Sequence, residues 1–240
     1  MKNRTIPFKS NASPPFNSIS LLFDLEGFSG FFGQHDVQGY ISQYLNLIID
    51  AVGRTFEGGT LYWDFDRQGN PFNAAPLPNP IHRKFLGDGI LYLWNYDDFT
   101  QAQVIELVDR VWILKRSFST ICEKASLILP VIDFPKRIRF GIAAGMVYKL
   151  SYKNRNEEEY IGYSINLVSR LQSYSRDIGF IVSNRLDISD KTIAKHGYKK
   201  CMAKKIRGFP NEIVIVDKHD YYTLDEKTRM ELFDELNPVA

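Results

Sequence analysis

The stretch SISLLFDLEGFSGFF, residues 18–32, decides how the rest of the chain is read. Its apolar run from Ile19 to Phe23 has the length and bulk of one buried strand. The run ends at a carboxylate, Asp24, and passes at once into Glu26-Gly27. A strand this apolar belongs in a core, and a rigid core element holds the group at its end better than a loop can. Asp24 is therefore a first candidate for chemistry.

Working outward, residues 1–17 contain Pro7, Pro14 and Pro15 and read as a flexible N-terminal arm. Downstream, residues 36–56 place Val37, Ile41, Tyr44, Leu45, Ile48 and Ile49 at helical spacing. Residues 58–66 (GGTLYWDFD) read as a second strand, and 67–80 as a proline-rich loop. Residues 81–94 (IHRKFLGDGILYLW) are two short apolar runs joined by Gly87-Asp88-Gly89, a hairpin signal because such a turn needs positive φ. An amphipathic helix over 97–118 puts Val104, Leu107, Val108, Val111, Trp112 and Leu114 on one face, with Asp98 or Thr100 as its cap. Then come a strand over 137–152 bent at Gly145, a strand–glycine–helix unit over 157–175, a hairpin over 204–218 and a polar helix near 224–236. Antiparallel pairs alternating with long helices imply an α+β domain whose antiparallel-rich sheet is covered by helices. With no internal repeat or second composition regime, we expect one domain over 18–218, followed by a helical extension over 219–240.

The 30 Lys+Arg and 28 Asp+Glu leave a net charge of only +2, which makes no electrostatic case for nucleic acid or an anionic membrane. Cys122 and Cys201 have neither metal-site spacing nor disulfide-scaffold density, so a reducing cytoplasm is expected. The N-terminal residues lack the apolar segment of a secretory signal, and no apolar run has membrane-spanning length.

Further candidates for chemistry follow from residue type and spacing. Asp88 sits at the hairpin tip, and it converges with Asp24 if the first strand pairs beside that hairpin. Two carboxylates suit a hard divalent cation that draws its other ligands from substrate phosphates. Asn166 and Arg170 lie at i, i+4 and share a helix face; an amide can hold a sugar hydroxyl and a guanidinium a phosphate. Arg207 stands beside Lys204 and Lys205, a basic cluster of the kind that could reach a triphosphate. Taken singly, each has an ordinary explanation: a plain turn, a strand cap, a solvated stripe, an exposed basic cluster.

Together they are specific. LLFDLEGFSGFF, KFLGDGILYLW, IRFGIAAGMVY, EYIGYSINLVSRLQ and KIRGFPNEIVIV resemble, in order and spacing, the catalytic domain of class III nucleotidyl cyclases across residues 18–218. The resemblance implies a ferredoxin-like cyclase fold and a metal-dependent lyase that uses two divalent cations, Mn²⁺ or Mg²⁺. It implies Asp24 and Asp88 as metal ligands with the Leu25 carbonyl, Asn166 orienting the ribose, and Arg170 stabilising charge on the α-phosphate. Arg207 occupies the place of a lysine that grips the terminal phosphates, and Lys84 and Glu159 fall where the family reads the base. It also implies a head-to-tail homodimer with sites at the subunit interface.

Departures from the family pattern concern the base. Glu159 replaces the usual Asp, Tyr160 follows it where an aliphatic residue is common, and a longer segment before Lys84 brings Tyr62, Trp63 and His82-Arg83 towards the site. Bulky aromatics there leave room for a pyrimidine, and Tyr62 is the aromatic we expect at the nucleotide; the alternative, stronger for each residue taken alone, is that Tyr62 and Trp63 are strand-core residues. No fused sensor, receiver or transmembrane module is recognisable. The chain resembles the stand-alone pyrimidine cyclases of Pycsar antiphage systems, which implies UTP (or CTP) converted to its cyclic monophosphate and a downstream cyclic-nucleotide-binding effector. The alternatives are an adenylate or guanylate cyclase, in keeping with Lys84 and an acidic residue 159, and a catalytically silent cyclase-homology domain.

Overall fold

The computed structural model describes residues 8–9, 13–131, 133–153 and 157–236. Most of the 1–17 arm and the last residues of the 219–240 extension lie outside these.

The chain runs β1 (Phe16–Glu26), α1 (Phe28–Phe32), α2 (Ile41–Glu57), β2 (Gly59–Phe65), β3 (Pro71–Ala74), β4 (His82–Phe85), β5 (Ile90–Asn95) and α3 (Gln101–Ser126). It continues with β6 (Arg137–Ser151), β7 (Glu158–Gly162), α4 (Tyr163–Tyr174), β8 (Phe180–Ser183) and α5 (Asp190–Lys195). The last elements are β9 (Tyr198–Ala203), β10 (Glu212–Asp217), α6 (Lys218–Thr223), α7 (Glu226–Leu232) and β11 (Phe233–Glu235). This is the expected α+β architecture. The main sheet has the order β11–β9–β10–β8–β6–β1–β5–β4, with β7 added to the end of β6. All its pairings are antiparallel except β6 with β8.

β1 is an interior strand, and both of its faces are covered. Alternation sends Ile19, Leu21, Phe23 and Leu25 into the larger core, under α2 and α3. Ser18, Ser20, Leu22 and Asp24 point to the other face. There Ser18 and Ser20 hydrogen-bond Ser164 of α4 at 2.7 and 2.8 Å, and Leu22 joins a second core with Leu167, Val168 and Leu171. α4 lies over β6 and β1. It comes so close that a Cβ at Gly141 would stand 2.6 Å from the Gln172 backbone nitrogen. One short helix does not reach across β5 and β4, and the open part of this face is where the site forms.

Several boundaries differ from the sequence reading. The hairpin expected over 204–218 has its first strand earlier, at Tyr198–Ala203, and 204–211 is the connecting loop. The C-terminal helix is shorter than 224–236, because Phe233–Glu235 pairs with β9 and satisfies that sheet edge. The proline-rich loop contains β3, which pairs with β2 in a separate two-stranded sheet. The helix of 97–118 extends to Ser126, and its cap is Thr100, in a capping box with Gln103. Among the described residues no helix is long and apolar enough to cross a membrane.

Candidate active site

Asp24 stands opposite Arg139 in the β1–β6 register, and the arginine grips it. Nε donates to Oδ1 at 2.9 Å and Nη2 donates to Oδ2 at 2.6 Å. The β4–β5 turn tucks against this strand end. A Cβ at Gly89 would lie 1.8 Å from the Phe23 carbonyl oxygen, so only glycine permits the approach. Asp88 thereby comes beside Asp24. Burial raises its pKa above the usual carboxylate value; its own backbone N–H lowers it, the Asp24 charge raises it and Arg139 opposes. Leu25 is buried in the larger core and paired with Ile138, so only its backbone can serve a ligand.

Among the described residues, no three His, Cys, Asp or Glu side chains converge as a metal cluster. Two carboxylates still fit a hard divalent ion that keeps water and takes substrate oxygens. Arg139 now neutralises Asp24, so a cation and the guanidinium compete for the same oxygens.

A cavity of about 290 Å³ opens on the same sheet face. Leu22 and Leu91 form apolar wall, while Lys84, Glu159, Asn166 and His82 supply polar groups. The Lys84 ammonium donates to both Glu159 oxygens, at 2.8 and 2.7 Å. Lys84 and His82 face this cavity because their cross-strand partners on β5 are Leu91 and Leu93. The His82 ring lies 4.9 Å from the Tyr160 ring, which meets the edge of Phe16 at 6.2 Å. Apolar walls with a few fixed donors and acceptors suit a planar heterocycle. A larger cavity, about 480 Å³, is lined by Glu26, Gly27, Phe31 and Arg137, just beyond Asp24 in sequence.

Asn166 and Arg170 are exposed on α4, and Arg207 is exposed on the β9–β10 loop. That loop is held in shape by left-handed backbone at Lys205, Gly208 and Asn211. Its Phe209 packs edge-on against Tyr163, the first residue of α4, at 5.1 Å. The Arg185 guanidinium covers the Tyr163 ring at 4.6 Å and is itself bound by buried Glu212. Among the described residues, Asn166, Arg170 and Arg207 bond neither to one another nor to Asp24 or Asp88. The single chain thus holds a carboxylate pair, a cavity that Asn166 helps to line, and two exposed arginines, Arg170 and Arg207, that bond to neither carboxylate.

No protein-family model matches the sequence, and no curated protein is significantly similar to it. Solved structures do match. The adenylyl cyclase CyaB from P. aeruginosa aligns with a TM-score of 0.61 at 16% identity, over 85% of this chain and 94% of that one. The guanylyl cyclase Cya2 aligns with a TM-score of 0.55 at 16% identity, over 95% of this chain and 97% of that one. A bacterial light-regulated adenylyl cyclase gives a TM-score of 0.51 at 13% identity, over 86% and 92% of the two chains. The chain has the class III nucleotidyl cyclase fold.

On this fold some of the sequence-expected residues lie together and others apart. Asp24 and Asp88 come together at one strand end, and Lys84, Glu159 and Asn166 share one cavity. Tyr62 does not join them. It lines a separate cavity with Leu47, Asp50 and Ile121, because β2 leaves the main sheet to pair with β3 against α2 and α3. Its neighbour Trp63 is buried in the larger core. Arg139 was not foreseen as a site residue; its one sequence signal is a basic side chain in the apolar strand RIRFGIAAG.

Proposed function

We propose that this protein is a metal-dependent nucleotidyl cyclase acting as a head-to-tail homodimer. The observation that carries the reading is that one chain of the cyclase fold holds both the Asp24–Asp88 carboxylate pair at the end of β1 and the cavity lined by Lys84, Glu159 and Asn166. The ribose 3′-hydroxyl attacks the α-phosphate in line; an O–P bond forms, the bond to the β-phosphate breaks, and pyrophosphate leaves as the hydroxyl proton goes to solvent. Asp24, Asp88 and the Leu25 carbonyl would hold the divalent ions, which supply charge neutralisation and activation of the attacking oxygen. Asn166 orients the ribose, Arg170 stabilises charge on the α-phosphate, and Arg207 binds the terminal phosphates. Because these groups stand apart from the carboxylates within one chain, a second copy supplies them across the interface.

The base is a pyrimidine in this proposal, uracil before cytosine. Glu159 closes on Lys84 with both oxygens, and the His82 and Tyr160 rings take space on the same side. The product is then a cyclic pyrimidine nucleotide, and its role is to activate a separate effector in antiviral defence. A cytoplasmic location belongs to the same proposal. An adenylate or guanylate cyclase is the second reading, favoured by the Lys84–acid pair itself and by the activities named for CyaB and Cya2.

The test is a product assay with Mn²⁺ and ATP, GTP, CTP or UTP supplied separately, with Asp24→Ala and Asp88→Ala as controls and products identified by mass. A cyclic pyrimidine product lost in both variants supports the proposal. Cyclic AMP or cyclic GMP replaces the substrate while keeping the cyclase, and no cyclic product from any triphosphate leaves a binding domain.

A further inference from the structure

We propose that His82 is a specificity-determining residue of the nucleotide site, its imidazole hydrogen-bonding the polar edge of the base beside the Lys84–Glu159 pair. The inference rests on the nucleotide reading of the cavity given above.

The argument begins with what the pair leaves undone. Both Glu159 oxygens accept from the one Lys84 ammonium, so the two side chains form a preassembled unit with a donor and an acceptor side by side. The Watson–Crick edge of a pyrimidine presents three polar atoms in a row. A donor–acceptor unit satisfies two of them, and a third left buried without a partner costs binding. The cavity must therefore provide one more polar group.

The other polar residues of the lining are already committed or lie elsewhere. The Tyr160 hydroxyl donates to Glu158 at 3.3 Å. Asn166 and Ser169 sit three residues apart on α4 and share a face assigned to the sugar. His82 is different: it lies two residues before Lys84 on β4, so strand alternation turns both side chains to the same side. Its ring is positioned by Tyr160 at 4.9 Å, and Tyr160 is backed by Phe16. Among the described residues its ring nitrogens make no hydrogen bond within the chain.

The imidazole is also in the right state. Burial lowers its pKa, Glu159 pulls it up, Lys84 lowers it and Glu158 raises it, with a net lowering. At neutral pH the ring is uncharged, so one nitrogen donates and the other accepts. Either side of the ring can then be matched to a base, and the tautomer adjusts to what the edge presents.

The experiment uses the full chain and steady-state turnover of each of the four triphosphates with Mn²⁺. His82→Phe keeps a ring against Tyr160 and removes both nitrogens; His82→Gln returns an amide near one of them. We expect His82→Phe to raise KM for the preferred triphosphate by about tenfold or more, to change kcat by less than about threefold, and to narrow the kcat/KM ratio between preferred and other bases. His82→Gln should recover part of that ratio. Unchanged KM and base ratios in His82→Phe would overturn the proposal and leave the ring as packing. If the phenylalanine disturbs the fold, His82→Ala carries the same readout. Failure of the cyclase reading shows separately, as no cyclic product from the wild type. Calorimetric binding of the four triphosphates then decides the role of His82, and a wild type that binds none of them overturns both.

Discussion

Arg139 holds Asp24 through both carboxylate oxygens, across adjacent central strands. The two side chains are 18% and 23% exposed, so the pair is shielded enough to matter and open enough to be exchanged. The strand end is electrically quiet because of this contact. A cation entering there must share the carboxylate with Arg139 or displace it. Replacing Arg139 with Met should tighten binding of Mn²⁺ alone by about tenfold, since a competing positive charge leaves the site. Titration of the nucleotide-free protein with Mn²⁺ measures this, and weaker binding would contradict it.

Asp88 is in the opposite situation, a partly buried carboxylate beside a second one. Its charged form is disfavoured by burial and by Asp24, so the ionised carboxylate adds nothing to stability. Asp88→Asn should therefore abolish cyclic product while leaving Tm unchanged or higher. A clear fall in Tm would show that Asp88 has a structural role instead.

Gly89 and Gly87 flank Asp88 and make a matched pair of probes. An alanine methyl at Gly89 would meet the Phe23 carbonyl oxygen at 1.8 Å, whereas at Gly87 it would meet open space and only a φ of 101°. Gly89→Ala is expected to cost about 2–4 kcal/mol in urea unfolding because main chain must move. Gly87→Ala should cost about 1 kcal/mol from left-handed backbone alone. Equal costs would mean that the turn does not press on β1.

The Lys84–Glu159 pair has side chains 43% and 30% exposed. Such a pair contributes less than about 1 kcal/mol to folding, so Lys84→Met should barely shift the unfolding midpoint. Its effect should fall on recognition, with KM rising and base preference relaxing, read from the same four-triphosphate assay. A large stability loss with intact preference would reverse this assignment.

His82 also makes a prediction about pH. Its pKa is lowered in the folded chain, so the unfolded chain binds the proton more readily and stability falls as pH drops below the ordinary histidine value. The facing groups are Tyr160, Glu158 and Glu159 on β7 and Lys84 on β4. His82→Phe removes this term, so between pH 7.5 and 5, a window set roughly by the ordinary histidine pKa, the wild type should lose stability relative to the variant. Denaturant melts of both proteins across that range test the sign.

Much of this was legible in residue order. The period-two pattern of β1, the glycine-bounded turn at Asp88 and the i, i+4 placement of Asn166 and Arg170 are local features, and local periodicity reports them directly. Where the structure departs from local pattern, a distant segment had the decisive role. Tyr62 lines a different cavity from Lys84 and Glu159 within the chain, because β2 pairs with β3 rather than with the main sheet. The strand at Tyr198–Ala203 carries Lys199 and Lys200 and lacks an apolar run, yet it is paired on both sides, by β10 and β11.

By itself, then, the sequence determined most of the larger elements, the two carboxylates at element ends and the α+β class, because these depend on neighbours within a few residues. Tertiary structure alone decided that Arg139 neutralises Asp24, that Glu159 closes on Lys84 and that His82 turns towards the same cavity. Those facts join residues 115, 75 and 78 positions apart. Only strand register sets such distances, and register is a property of the whole sheet.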